Sequence, residues 1–306
     1  MDDNAHARGE VPVMPTLLAP NASLERLYTG TEWGEGPVWL PGIRALRWSD
    51  IPNNRIMQYR ADDGQTIVYR DNAEFTNGRI LDLNGDVVQC SHGRRAVERD
   101  AGGEVTVLVD RWQGKRFNSP NDVVVAADGS VWFTDPPYGI LSNREGRKAD
   151  PEYGGCYVFR FDEQRGELTP VVTDMVHPNG LAFSPDERIL YVSDTAGGQD
   201  ESVPRAIRAY DVKAGACGNG RVFAEIEVGV PDGFRVDEAG RLWSSSGDGV
   251  RVFTPGGELL LHVPVPEKVA NLCFGGQDGQ DLYIAAASSL YRIKTTTHVA
   301  PRPGRG

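Results

Sequence analysis

A paired apolar segment recurs six times along this chain, and the repeat limits the possible folds more than any other feature. Each copy opens with a carboxylate or carboxamide residue, continues through an apolar stretch and a turn, and ends its second apolar stretch on a small residue. The openers are Glu35, Asn77, Asn121, Asn179, Asp232 and Asn271. The small residue follows 13 or 14 positions later in every copy. So constant a register indicates one repeated structural unit.

The spacing of the copies predicts the fold class. Successive openers lie 39 to 58 residues apart, which leaves room for four short strands and their loops. Apolar, β-branched strands at this period, separated by turn signals, are typical of a β-propeller, whose small sheets repeat around a central channel. High counts of Gly (36) and Pro (20) fit many tight turns. We therefore predict an all-β, six-bladed β-propeller with four-stranded antiparallel blades.

The repeat also predicts how the chain is organised and how the ring closes. We expect residues 1–306 to form a single domain, with the propeller over about 20–296 and short flexible tails at both ends. The last copy supplies only about three strands. Residues 23–30 are therefore expected to add an outer N-terminal strand to that sheet, which would cover an otherwise unpaired edge.

Composition and charge argue against two classes of partner. A net charge of −11 and a pI near 5.0 disfavour nucleic acid, because binding its backbone requires clustered Lys and Arg. No apolar run approaches the roughly 20 residues that cross a bilayer, and the first residues lack the pattern of a signal peptide. We expect a cytoplasmic protein that binds neither nucleic acid nor membrane, and the sequence makes no prediction about protein partners.

Propeller geometry predicts that the openers meet at one mouth of the channel, because the first strand of each blade lines the axis. Taken singly, Asn77 and Asn271 are also ordinary turn residues. Taken together, the ring forces Glu35 and Asp232 into a narrow space, where two like charges require a neutralising cation. Oxygen ligands favour one hard divalent cation. Ca²⁺ is the first choice, with Mg²⁺, Mn²⁺ and Zn²⁺ as alternatives.

Two long insertions are expected to lie over the same mouth. They cover residues 136–156 and 196–205, and long polar loops over a charged pocket usually shape a substrate site. Tyr138 lies in the first insertion, while Arg116 and Asn118 shortly precede the third opener. We predict that these three residues contact substrate.

Other polar residues are interpreted as structural. Asp50, Asp135 and Asp194 end second strands at a constant position, which indicates hydrogen bonding in turns or between blades rather than metal ligation. His177 is interpreted as a hydrogen-bonded structural residue. His92 carries no signal in the repeat.

Four ordered motifs resemble a known family. They are "EGPVW", "NSPNDVVVAADGSVWFTDPPYG", "HPNGLAFSPDERILYVSDT" and "PDGFRVDEAGRLW". They resemble the gluconolactonase family, which includes senescence marker protein (regucalcin) and the luciferin-regenerating enzyme, and the likeness extends over roughly residues 30–295. The resemblance implies one divalent metal on the propeller axis, with ligands at Glu35, Asn179 and Asp232. It also implies that Asn121 contacts the metal or the substrate, and that Asp232 is the catalytic residue.

The resemblance implies an activity as well. The expected reaction is metal-dependent hydrolysis of a sugar lactone, similar to gluconolactone, to the aldonic acid. Asp232 would act as general base, or water on the cation would attack without its help. Two alternatives stay open: a phosphotriesterase of the diisopropyl fluorophosphatase type, and a non-catalytic calcium-binding propeller. Ser119 stands where the regucalcin branch carries Arg, so substrate contacts are not transferred from that branch.

Overall fold

A computed structural model describes residues 16–302, which form six four-stranded antiparallel sheets. The all-β, six-bladed propeller predicted from the repeat is confirmed. The expected flexible tails fall mainly on residues 1–15 and 303–306, which lie outside the described part of the chain.

The strands follow the repeat blade by blade. The first strand is β1 (Glu25–Thr29). Blade 1 contains β2 (Gly34–Leu40), β3 (Ala45–Asp50), β4 (Arg55–Arg60) and β5 (Thr66–Asp71). Blade 2 contains β6 (Thr76–Leu81), β7 (Val87–Ser91), β8 (Ala96–Ala101) and β9 (Glu104–Val109). A small two-stranded ladder follows, formed by β10 (Arg111–Trp112) and β11 (Lys115–Arg116).

The remaining blades have the same order of strands. Blade 3 contains β12 (Val123–Val125), β13 (Val131–Thr134), β14 (Val158–Asp162) and β15 (Glu167–Val172). Blade 4 contains β16 (Pro178–Phe183), β17 (Ile189–Asp194), β18 (Ala206–Lys213) and β19 (Ala216–Glu225). Blade 5 contains β20 (Phe234–Val236), β21 (Leu242–Ser246), β22 (Gly249–Phe253) and β23 (Leu259–Pro264). Blade 6 contains β24 (Val269–Gly275), β25 (Asp281–Ala286) and β26 (Ser289–Lys294), together with β1.

Helical structure in the described residues is confined to short turns. There is one α-helix, α1 (Tyr138–Leu141), and two 3₁₀ turns cover Pro41–Ile43 and Ala196–Gly198. None of the helices between residues 16 and 302 has the length and apolar character needed to cross a bilayer.

The ring closes through the N-terminal strand, as predicted. β1 pairs antiparallel with β26 and becomes the outer strand of blade 6. An isolated bridge between Leu18 and Thr295 extends the contact between the two ends of the chain. The closing strand therefore satisfies backbone groups that a three-stranded blade would leave unpaired.

The inner strands span the channel from one mouth to the other. Openers line a cavity at one end, whereas later residues of the same strands line a second cavity at the other end. In blades 1, 2, 4 and 6 the register of the inner strand shifts at or next to its opener. A β-bulge redirects a side chain, so these irregularities separate the opener from the regular ladder that follows.

The glycine after the opener is required by the packing of neighbouring blades. Gly follows the opener in four blades, as Gly36, Gly78, Gly180 and Gly233. A Cβ atom on Gly180 would lie 2.1 Å from the carbonyl oxygen of Asp232 in the next blade. A Cβ atom on Gly36 would lie 2.1 Å from the carbonyl oxygen of Asn77. Only a residue without a side chain lets the inner strands approach so closely.

The small residue that closes the repeat fixes the opener of the following blade in half of the blades. In three blades its hydroxyl donates a hydrogen bond to that opener's carbonyl oxygen. These bonds run from Ser49 to Asn77 (3.1 Å), from Thr134 to Asn179 (2.6 Å) and from Ser193 to Asp232 (2.8 Å). In these blades the spacing of 13 or 14 residues therefore separates an opener from the closing hydroxyl that positions the opener of the next blade.

Aromatic residues fill the space between blades, among them Trp39, Trp132 and Trp243. Each of these rings packs against a ring of the adjoining blade. The pairs are Trp39 with Tyr283, Trp132 with Phe183 and Trp243 with Phe274, at centroid distances of 5.4, 5.2 and 5.5 Å. Such contacts add aromatic pairing to the apolar burial that joins the sheets.

The C-terminal segment crosses the far mouth of the channel. The Ala300 amide donates to the Val236 carbonyl of blade 5 at 2.9 Å. Two residues later, the Arg302 guanidinium donates to the Leu81 carbonyl of blade 2, on the opposite side of the ring. The buried side chains of Arg79 and Arg235 line the far cavity, and Arg235 lies 3.9 Å from the buried carboxylate of Asp122, the residue after the opener Asn121.

The packing at Gly180 generates a prediction. Gly180→Ala should lower the free energy of unfolding by about 1–3 kcal/mol or more, because the new methyl group collides with the Asp232 backbone. Gly218→Ala is the matched control, since a Cβ there meets nothing within 4 Å. Denaturant unfolding measures both. Equal stability of the two variants would contradict the requirement for glycine beside the opener.

Candidate functional site

The openers gather around a cavity of about 340 Å³ at one mouth of the channel. Its lining includes five openers: Glu35, Asn77, Asn121, Asn179 and Asp232. The two long insertions contribute Tyr138, Arg144, Glu145, Gly198 and Gln199 to its wall. Both insertions therefore lie where the sequence analysis placed them.

The cavity at the far mouth is larger, about 420 Å³, but it is a poorer candidate. Its lining is mostly apolar and includes the crossing segment at residues 299–302. Binding sites usually combine a cavity with convergent polar and titratable groups, and those groups converge at the opener end. We therefore place the functional site there.

Two buried carboxyl groups form the centre of the site. Glu35 is 4% exposed and Asp232 is 8% exposed, and the two carboxyl groups are close enough to interact electrostatically. Glu35 Oε2 also accepts from the Gly36 amide (3.0 Å) and from Asn271 Nδ2 (3.2 Å). The Asp232 amide donates to Ser245 Oγ at 2.8 Å, which fixes the backbone of the second carboxylate.

Burial dominates the electrostatics of this pair. It raises the pKa of Glu35 well above its ordinary value, and the neighbouring Asp232 charge adds to the effect. Burial also raises the pKa of Asp232 to about 7, while the nearby Lys268 ammonium acts in the opposite direction. Two carboxylates in this position are costly to ionise together without a cation.

The carboxamide of Asn179 is oriented by a chain of hydrogen bonds. Its Nδ2 donates to Thr195 Oγ1 at 3.3 Å, and Thr195 Oγ1 lies 2.6 Å from the Tyr138 hydroxyl. Because the amide nitrogen faces Thr195, the carboxamide oxygen points to the other side. Tyr138 therefore lines the cavity and, through Thr195, also helps to orient Asn179, a predicted metal ligand.

The aspartates that end second strands clamp the segments leading into the openers. Each carboxylate accepts backbone amide hydrogen bonds from residues just before the opener of its own blade. Asp50 accepts from Glu32 (2.9 Å), Asp135 from Asn118 (2.7 Å) and Ser119 (2.8 Å), and Asp194 from Val176 (2.9 Å) and His177 (3.1 Å). These bonds give the three aspartates the hydrogen-bonding role that their constant position indicated.

The donor set on the axis fits a hard divalent cation. Within residues 16–302, no cluster of three or more His, Cys, Asp or Glu is arranged to hold a metal ion. The axis instead combines two carboxylates with carboxamide oxygens, and one such oxygen, Oδ1 of Asn77, is buried without a hydrogen-bond partner in that part of the chain. Ca²⁺ prefers oxygen ligands of this kind, whereas Zn²⁺ sites are usually built from nitrogen and sulfur ligands.

Two residues predicted to contact substrate lie outside the cavity lining. Arg116 lies on strand β11 of the small ladder, and its guanidinium donates to the Arg94 carbonyl at 2.7 Å. Asn118 is buried, and its Nδ2 donates to the carbonyls of Gly155 (3.0 Å) and Asp135 (3.2 Å). Proximity to Asn121 in the sequence therefore did not place either side chain in the site.

The cavity residues that the sequence analysis did not identify include His92, Lys268 and Trp33. His92 is fully buried, and burial lowers its pKa to about 4, so the ring is neutral at physiological pH. It lies two residues beyond Cys90, the closing residue of blade 2, at a position that carries chemically different residues in the other copies. Lys268 and Trp33 lie outside the recurring positions of the repeat.

The buried carboxyl pair predicts how the stability of the metal-free protein depends on pH. The folded-state pKa of Asp232 lies near 7, above the unfolded value of about 3.9, so the folded state binds more protons between these limits. Stability is greatest at low pH in that window and is lost as pH rises through about 7.

We therefore expect the melting temperature in excess chelator to fall between about pH 5 and pH 8, and to fall less in Asp232→Asn. Asp150→Asn, which removes an exposed carboxylate, is the control. Thermal melts at several pH values measure the effect. An equal fall in Asp232→Asn and wild type would contradict the raised pKa.

Comparison with known proteins agrees with this architecture. Residues 33–288 match the family model described as the SMP-30/Gluconolactonase/LRE-like region. A gluconolactonase from Zymomonas mobilis is 31% identical, over 94% of this chain and 85% of that protein. A pentonolactonase from Haloferax volcanii is 30% identical, over 85% of this chain and 83% of that protein.

A solved structure extends the comparison. A gluconolactonase from Xanthomonas campestris is 43% identical and superposes with a TM-score of 0.85, over 92% of this chain and 91% of that one. Sequence and structure thus agree over nearly the whole described propeller. The chain belongs to the SMP-30/gluconolactonase/LRE-like family.

Proposed function

We propose that the protein hydrolyses a sugar lactone of the gluconolactone type to the aldonic acid, using one divalent cation. The buried pair of Glu35 and Asp232 carries the proposal, because it forms the centre of a polar cavity large enough for a small sugar. Relatives named gluconolactonase and pentonolactonase support the substrate class.

Glu35, Asn179 and Asp232 are the proposed ligands of the cation, with Asn121 within reach of the ion or the substrate. The charges of the two carboxylates would balance one divalent ion, and Ca²⁺ is the first choice for an oxygen-only set. When bound, the cation supplies Lewis-acid polarisation of the lactone carbonyl. Asn271 is a positioning residue, because its Nδ2 donates a hydrogen bond to the Glu35 carboxylate and orients it.

Asp232 is the proposed general base. Burial keeps its basicity high, while Lys268 and a bound cation favour the ionised form that can accept a proton. The carboxylate takes a proton from water as the water oxygen bonds to the lactone carbonyl carbon. The ring carbon–oxygen bond then breaks, and the departing alkoxide recovers a proton from Asp232. One water is consumed and one hydroxy acid is formed.

The rim of the cavity provides positioning groups. Arg144 is paired with Glu145 (2.6 Å) and Glu32 (2.9 Å), so its charge is already balanced. Lys268 has no ion pair within the described residues, and its ammonium lies 5.0 Å from the centroid of the Trp33 ring. With the cation balancing Glu35 and Asp232, the Lys268 charge is available to the carboxylate that forms during hydrolysis.

Removing the metal tests the proposed reaction. We expect the purified protein to accelerate gluconolactone hydrolysis above the spontaneous rate, to lose that acceleration in excess chelator, and to recover it when Ca²⁺ is restored. A pH-stat assay measures acid release directly. Hydrolysis that is unaffected by the chelator would contradict the metal requirement. Ca²⁺ binding without hydrolysis of any sugar lactone would instead favour a non-catalytic propeller.

Replacing Asp232 separates base catalysis from metal occupancy. Asp232→Asn retains the size and one oxygen donor, but the carboxamide cannot accept the proton of water. At saturating Ca²⁺ we expect kcat to fall by about 10²-fold or more, the usual range for loss of a general base. Asp150→Asn is the matched surface control. Turnover near the wild-type value at full metal occupancy would exclude Asp232 as the base.

A further inference from the structure

Asn77 is a buried opener with an unused oxygen. It lines the cavity and is 4% exposed, and its Nδ2 lies 3.3 Å from His92 Nε2. Its Oδ1 atom is buried and has no hydrogen-bond partner between residues 16 and 302. Buried carboxamide oxygens are nearly always paired, because leaving one unpaired costs about 1–3 kcal/mol. The oxygen therefore needs a partner that the described protein atoms do not provide.

His92 determines which end of the Asn77 carboxamide faces it. His92 Nδ1 lies 2.8 Å from the Glu145 carbonyl oxygen, which can only accept a hydrogen bond. Nδ1 must therefore carry the hydrogen. In a fully buried neutral imidazole the other nitrogen, Nε2, is then an acceptor. Only the amino group of Asn77 can donate to it, so the Asn77 oxygen points away from the ring.

The same arrangement occurs at Asn179, one of the proposed ligands. Asn179 Nδ2 donates to Thr195 Oγ1, and Thr195 lies two residues beyond Ser193, the closing residue of blade 4. His92 occupies the equivalent position in blade 2, two residues beyond Cys90. In blades 2 and 4, the residue at the same repeat position thus binds the amide nitrogen of the opener, and the opener's carboxamide oxygen points away from it.

Asn271 shows that this orientation is not shared by every opener. Its Nδ2 donates to Glu35 Oε2 at 3.2 Å, and its Oδ1 accepts from the Leu272 amide at 2.8 Å. Both ends of that carboxamide are engaged by protein groups. Asn271 can orient Glu35, but it has no oxygen turned toward a ligand in the way that Asn77 has.

From this geometry we infer that Asn77 supplies a further oxygen to the cation site and that His92 is the positioning residue that orients it. The inference rests on the proposed metal site of Glu35, Asn179 and Asp232. Adding Asn77 raises the number of protein oxygens available to the ion, which suits the 6–8 ligands of Ca²⁺ better than the strict octahedron of Mg²⁺. Blade 2 thereby contributes to a site that the sequence motifs assign to blades 1, 3, 4 and 5.

A double-mutant cycle tests the coupling of the two residues, with calorimetric titration of Ca²⁺ into the metal-free protein as the readout. Asn77→Ala should weaken Ca²⁺ binding by roughly tenfold or more, and His92→Ala by about tenfold, the usual scale for losing an outer positioning group. In the Asn77→Ala background, His92→Ala should cause less than about a twofold further loss. A purely structural role for His92 would weaken binding equally in both backgrounds.

Matched controls and a second variant keep the test decisive. Asn84→Ala and His262→Ala alter the same residue types outside the cavity lining and should leave Ca²⁺ affinity unchanged. Asn77→Ser replaces Asn77→Ala if the latter does not fold, as judged by melting in chelator. Unchanged affinity in a folded Asn77 variant, with wild-type Ca²⁺ binding intact, would overturn this inference alone. Failure of the wild-type protein to bind Ca²⁺ would contradict the proposed metal site itself.

Discussion

The close approach of six inner strands around one axis is the constraint on which the rest of the structure depends. A side chain after the Asn179 opener would collide with the Asp232 carbonyl of the next blade, so Gly180 is required there. The Ser193 hydroxyl then donates to that same carbonyl and fixes its position. Packing and hydrogen bonding thus act on the same atoms, and they bring the opener side chains together at one mouth.

This packing has an electrostatic cost that is concentrated at the site. Glu35 and Asp232 are brought together in a buried position where neither ionises readily in the absence of a cation. A well-packed apolar pair would be more stable there, whereas a carboxylate pair has high affinity for a divalent ion. The proposed cation would therefore stabilise the axis as well as the site, because it would remove the repulsion that folding creates.

Much of the fold and part of the site could be predicted because they are repeated along the sequence. The positions of Glu35 and Asp232 follow from a register that persists through six copies, and the missing outer strand of the last copy identified β1. Lys268 lies outside that register, so no repeat could identify it. His92 does lie at a recurring position, but in the other copies its counterparts are chemically different. Arg116 shows the converse limit, because it is close to Asn121 in the sequence but its guanidinium binds the Arg94 carbonyl and does not line the cavity.

The C-terminal segment spans the far mouth of the channel. It connects Val236 in blade 5 with Leu81 in blade 2, and the buried Arg79 and Arg235 side chains line the same cavity. A substrate of the proposed reaction would therefore reach the carboxyl pair from the opener side, past the two long insertions. Under that proposal, incoming lactone and departing acid would share one path.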